Sequence, residues 1–164
     1  MIGTFVQSAV MLTAAAFISE LGTHAYGAVG NAGLLYVSLI MLSMGIADSG
    51  QIMIARRNGE EKYVDIGRTF RHNIFILLLF SFLIFIVYSL FTHSFLQSTV
   101  NDPKVGLLMD EYLNYRKYGV FFEAFRLAIM SFYVGIGRTK IVIYSTLILA
   151  LSNILLDYGL IFGN

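Results

Sequence analysis

Cysteine is absent from this sequence, which excludes disulfides, CxxC redox pairs and thiolate metal sites. Charge is scarce as well: Asp, Glu, Lys and Arg make up 13% of the 164 residues, against roughly 25% in soluble domains. The three histidines, His24, His72 and His93, share no ligand spacing. No nucleophile–base pair or metal-ligand cluster is visible, so an enzyme is the class least supported, and no cofactor or metal is expected. No basic patch interleaved with aromatics points to nucleic acid. The net charge of +1 says nothing about partners.

Apolar residues dominate instead, at 57% of the chain with a mean hydropathy of +0.75. Crossing a hydrocarbon core of about 30 Å takes about 20 such residues in a helix. Five windows qualify, at about 2–20, 25–53, 73–92, 111–136 and 139–162, which predicts an all-α integral membrane bundle. The first window is no signal peptide: it lacks a basic start, and its uncharged run from Ile2 to Ser19 exceeds the usual apolar core of such peptides. The windows begin and end almost at the chain termini, so the chain is expected to be part of a longer protein. Five spans are also an awkward number for transporter folds assembled from repeated halves.

Seven of the eleven Lys and Arg residues (56, 57, 62, 68, 71, 138 and 140) fall between spans two and three or after span four. Three more, 104, 116 and 117, fall between spans three and four or at the start of span four. The bias places the N-terminus and the 54–72 loop in the cytoplasm and the 93–110 loop outside. Within that outer loop Asn101-Asp102-Pro103 reads as a turn, as Asn58-Gly59 does after span two. Small residues Gly27, Ala28, Gly30, Ala32, Gly33 and Ser38 make the start of span two a packing face. Phe75, Phe80, Phe82, Phe85 and Phe91 define no single face of span three, which favours core or lipid contact. Asp110, Glu111, Arg116 and Lys117, among Tyr112, Tyr115 and Tyr118, form a collar suited to a membrane interface. Deeper in span four, Glu123 and Arg126 are helix neighbours. They read as a neutralising structural pair, with a cavity role as the second option.

The last span places Asp157 after an uncharged run from Ile141 to Leu156. An ionised carboxylate in hydrocarbon costs a few kcal/mol or more, about 3 on insertion scales, so it faces protein or water. Asn153 precedes it by four residues and shares its face. Two hard oxygen donors in that arrangement suit a small cation or a proton relay, the core of an ion-coupled transporter.

Four motifs in order, QIMIARRNGE after span two, YLNYRKYGVFFEAF opening span four, FYVGIGRTK at its exit and SNILLDYGLIFG in span five, give the chain a family likeness. It resembles the N-terminal lobe of the multidrug and toxic compound extrusion (MATE) transporters, and most of all their bacterial branch. The resemblance implies a five-helix, incomplete N-lobe of a twelve-helix, two-lobe transporter in the bacterial inner membrane. Its implied activity is export of drugs or organic cations in exchange for Na+ or H+, with membrane lipids, an amphipathic or cationic substrate and a C-terminal lobe as partners. Carried over, Asn153 and Asp157 match the asparagine and aspartate of the family's cation site. Ala14 stands where the family's first span commonly has an aspartate, so one carboxylate remains where two are usual, and the coupling ion stays open between Na+ and H+. Two alternatives compete: a flippase for a lipid-linked precursor, and a non-transporting membrane scaffold or partner fragment.

Overall fold

The computed structural model describes residues 12–13, 15–19 and 22–162, apart from the side chains at 93, 97, 157 and 160–162. Residues 12–13 and 15–19 are helical; the rest of the expected first span, Ala14 included, lies outside the described residues. Five helices follow: α1 (Thr23–Gly59), α2 (Tyr63–Thr99), α3 (Pro103–Arg116), α4 (Gly119–Gly135) and α5 (Thr139–Phe162). With 37 residues each, α1 and α2 are about 55 Å long and overrun a hydrocarbon core of about 30 Å. Among the described residues, α1, the 63–92 part of α2 and the 139–156 part of α5 are long and apolar enough to cross a membrane.

Several boundaries differ from expectation, each for a local reason. The first helix runs through Asn58-Gly59, and the chain reverses at Glu60 and Glu61 instead. There the Glu61 N–H donates to the Asn58 carbonyl at 3.1 Å and the Lys62 N–H to the Arg57 carbonyl at 3.0 Å, a Schellman motif. It puts Glu61 at φ 57°, a left-handed conformation costing a non-glycine residue about 1 kcal/mol. Charge offsets this: Glu60 accepts from Arg56 and Lys62, both at 3.0 Å, and Lys62 and then Arg56 hold its carboxyl below the usual range. The same motif after α4 uses Gly137 at φ 77°.

Most of the expected 93–110 loop is helical, since α2 continues to Thr99 and only residues 100–102 connect it to α3. Asp102 caps α3 by accepting from the Lys104 N–H at 2.9 Å, and Pro103 occupies the first turn, where its missing N–H costs nothing. The turn signature is therefore also a helix start. The expected fourth span, 111–136, is two helices. At the break the Tyr118 and Val120 N–H groups reach back only three residues, at 3.4 Å. One contact favours this slip: Ser81 Oγ donates to the Val120 carbonyl at 3.2 Å.

Helices α1, α2 and α4 pack on one another, α3 lies chiefly against α1 and α2, and α5 touches α4 alone among the described helices. Along α1 the buried residues Tyr36, Ile40, Ser43, Ala47, Gly50 and Ile54 alternate four and three apart, the seam of a left-handed helix pair. Ala28 and Ala32 extend it. The other small residues expected to pack do not: a Cβ at Gly27, Gly30 or Gly33 would meet nothing, and Ser38 is exposed, bonded to the Leu34 carbonyl. The seam at 28, 32, 36 and 40 leaves them on the helix flanks. The tight approaches come later, where a Cβ at Gly50 would collide with the Asn73 amide and one at Gly135 with Ile54. Asn73 is itself buried and donates to Ser131 Oγ at 3.0 Å. On α2, Phe75, Phe82 and Phe91 face outward while Phe80 and Phe85 pack on the core.

Gly50→Val should therefore lower the thermal midpoint of the detergent-solubilised full-length protein, by an overpacking cost of about 1–3 kcal/mol. Gly45→Ala, where a Cβ meets nothing, serves as the control and should leave the midpoint unchanged within experimental scatter. Equal midpoints for the two variants would refute the close packing of α1 on α2.

Candidate functional site

On both sides of the break between α3 and α4, one helical face lines a pocket of about 660 Å3. Tyr112, Tyr115 and Arg116 of α3 and Gly119, Phe122, Glu123 and Arg126 of α4 supply most of its wall. Tyr36 of α1 and Leu149 of α5 close it on two sides. Positions 112, 116, 119, 123 and 126 recur four and three apart, so one face continues across the break.

Tyr36 belongs to both core and pocket. Its ring stacks on Tyr88 with centroids 6.1 Å apart, and the Arg116 guanidinium lies 4.7 Å from its centroid. The same guanidinium is 6.0 Å from the Tyr112 ring. Arg126 is engaged differently: its Nε donates to Glu123 Oε2 at 2.8 Å and its Nη2 to Oε1 at 2.5 Å. This two-point geometry uses both carboxylate oxygens. Arg116 has no carboxylate partner among the described residues. Among its described residues the wall thus holds two guanidinium groups and one carboxylate. A second pocket of about 530 Å3, on the outer side of α3, is lined by Asp110, Glu111 and Asn114 and shares Tyr115. Among the described residues no group of three His, Asp or Glu could hold a metal.

Glu123 and Arg126, expected as neighbours, are brought together in an ion pair on the pocket wall. Asn153 lies on α5 and is exposed. It follows the pocket residue Leu149 by one helical turn, about 6 Å along the axis, and does not itself line the pocket. Asp157 is a further turn along α5, with its side chain outside the described residues. Tyr112, Tyr115 and Arg116, expected as an interface collar, are pocket residues, and Tyr36 was not singled out at all. The available signal was the four-three spacing that links them to Glu123 and Arg126. Asp48 was also missed. It is an acid eight residues before Arg56 in an apolar helix, exposed and without a partner among the described residues, the kind of intramembrane charge that marks a functional position.

Comparison with known proteins bears on this arrangement. The family model described as MatE matches residues 1–159. The chain is 25% identical over 158 residues to a "Probable multidrug resistance protein NorM" of Rhizobium meliloti (strain 1021), covering 96% of this chain and 34% of that protein. A solved structure of a MOP superfamily transporter from Pyrococcus furiosus Vc1 (DSM3638) superimposes with a TM-score of 0.91 at 24% identity, over 97% of this chain and 35% of that one. At that identity the likeness speaks for the fold, which is the all-α, partial transporter lobe expected from the sequence. The chain spans about a third of the length of these relatives.

The Glu123–Arg126 pair makes a double-mutant prediction. Either residue changed to alanine strands a charge half-buried on the wall, at a cost of about 1.5–3 kcal/mol, and should reduce the yield of folded protein. The double change should restore much of it. Single variants that express at wild-type levels but alter substrate preference in the full-length protein would make the pair a binding element and not a structural one.

Proposed function

The chain belongs to the MatE family, and from that membership we propose that it forms part of the N-terminal lobe of a secondary active antiporter. The whole protein moves amphipathic small molecules across a bacterial inner membrane in exchange for Na+ or H+. The supporting observation is the pocket itself: its volume falls within the roughly 300–1,000 Å3 of small-molecule sites, its wall combines four aromatic rings with two arginines and a glutamate, and it abuts the helix that bears Asn153 and Asp157. Asp157 is the proton or cation acceptor and Asn153 an oxygen co-ligand. Since α5 is held only by α4 among the described helices, an ion bound one or two turns past Leu149 biases the tilt of α5. That tilt changes the pocket wall. Substrate and ion thereby compete for one conformational equilibrium, which is what exchange requires.

One observation bears on the flippase alternative. Arg116 joins Arg126 in the same pocket, so the site has more positive charge than a single deep arginine would supply. Glu123 cancels one of the two, however, and a single net charge is a poor match for a pyrophosphate. The scaffold alternative predicts no transport under any gradient.

Two experiments test the reading. Single cysteines at Asn101 and Asn58, introduced into the cysteine-free chain, report orientation: an impermeant thiol reagent applied to intact cells should label Asn101→Cys and spare Asn58→Cys. The reverse pattern would invert the lobe.

The second concerns coupling. Asp157→Asn should abolish gradient-driven efflux by the full-length protein at matched expression, because an amide can neither release a proton nor balance a cation, and it is cheaper to bury than a carboxylate. Asn153→Ala should weaken efflux without abolishing it. Undiminished efflux by the Asp157→Asn protein, under an imposed Na+ or H+ gradient, would sink the ion-coupled mechanism.

A further inference from the structure

We propose that this pocket selects aromatic monoanions: small molecules with one carboxylate or sulfonate on a body of one or two aromatic rings. The inference rests on the transporter reading above and names the substrate class of its site. It starts from the two arginines. Arg126 spends its Nε and Nη2 on both oxygens of Glu123, so the charges of that pair neutralise each other. Arg116 is different, with no carboxylate among the described residues and its guanidinium against the Tyr36 ring.

A guanidinium over a ring is held there by cation–π attraction, and the N–H donors this leaves without a carboxylate can grip one at two points. The surrounding surface is aromatic, from Tyr36, Tyr112, Tyr115 and Phe122, and gives flat rings faces and edges to pack on. A cation would meet the reverse situation: a carboxylate whose charge Arg126 already neutralises and a second arginine that repels it. Among the described lining residues one positive charge is uncompensated, which matches a ligand carrying one negative charge.

The test uses purified full-length protein in detergent and two labelled probes of matched shape, 2-naphthoate and 2-naphthyltrimethylammonium, in equilibrium dialysis. Wild-type protein should bind naphthoate at least about tenfold more tightly than the cation, a margin of one two-point charged hydrogen bond. Arg116→Gln should erase that preference, and Arg116→Lys should keep part of it. Glu123→Gln frees Arg126 while retaining a hydrogen bond to it, and should tighten naphthoate binding several-fold. If Arg116→Gln does not fold, the opposite shifts expected of Arg116→Lys and Glu123→Gln still decide the matter.

Equal or tighter binding of the cation, no naphthoate binding by the wild type, or an Arg116→Gln protein with its preference intact would each overturn the proposal. So would displacement of naphthoate by phosphatidylglycerol at lower concentration than by unlabelled naphthoate, which would assign the site to a lipid headgroup. The two readings fail separately. Gradient-driven transport of the cation without naphthoate binding removes the anion site and leaves the transporter. Naphthoate binding without ion-coupled transport of either probe does the opposite.

Discussion

Three helices meet where Gly50 of α1 leaves room for the amide of Asn73 on α2, which in turn donates to Ser131 on α4. In a bilayer, helices gain little by exchanging lipid contact for apolar contact with each other, so close packing and internal hydrogen bonds determine how they associate. This junction supplies both. The missing side chain at Gly50 lets α2 approach, and a buried amide that must find a partner fixes the rotation of α4. A slip of one residue along any of the three helices would leave Asn73 facing a side chain on one side and unbonded on the other, at a cost of about 1–3 kcal/mol for the stranded group.

The rest of the architecture follows from that register. With Ser131 held, Gly135 falls one turn later against Ile54, and Val120, earlier on α4, presents its carbonyl to Ser81 of α2. Helix α4 is then fastened along one face at three levels, by Val120, Ser131 and Gly135. The neighbouring face, with Gly119, Glu123 and Arg126, is turned about 100° away and lines the pocket. Tyr36 connects the two regions, since it is buried in the seam, stacked on Tyr88, and still forms part of the pocket wall. Packing thus positions the aromatic floor on which Arg116 rests.

How much of this was legible in the sequence depended on whether the signal was local. Apolar windows mark the membrane helices because a spanning helix needs length and little else, and the four motifs carry the family. Helix ends were less legible: Asn58-Gly59 is turn chemistry, yet the αL position falls on Glu61, stabilised by charges from Arg56 and Lys62. The small-residue run at 27–38 was misleading because glycine permits close approach without requiring it. Whether a glycine packs depends on the heptad phase of the whole helix, and that phase puts Ala28, Ala32 and Gly50 inside and Gly30 outside. The pocket was hidden for a similar reason. Its residues come from four helices, and the Tyr112–Arg116 stretch is chemically identical whether it forms an interface collar or a binding wall. The pocket depends on Tyr36 and Leu149 of other helices meeting that stretch, which no local pattern displays.

Unequal anchoring is the feature that connects this packing to a working cycle. Helices α1, α2 and α4 are fastened to one another, whereas α5 meets α4 alone among the described helices, and Ala150 is the one residue buried among its described side chains. On the proposed reading, an ion at Asn153 and Asp157 would act on this helix and shift it. Leu149, a turn away, would transmit the movement to a pocket whose other walls stay fixed by the Gly50–Asn73–Ser131 junction. A ligand shifts such an equilibrium only by its difference in affinity between the two positions. On the proposed reading, a three-helix frame with one movable wall would concentrate that difference in the contacts around Leu149, the α5 residue on the pocket wall.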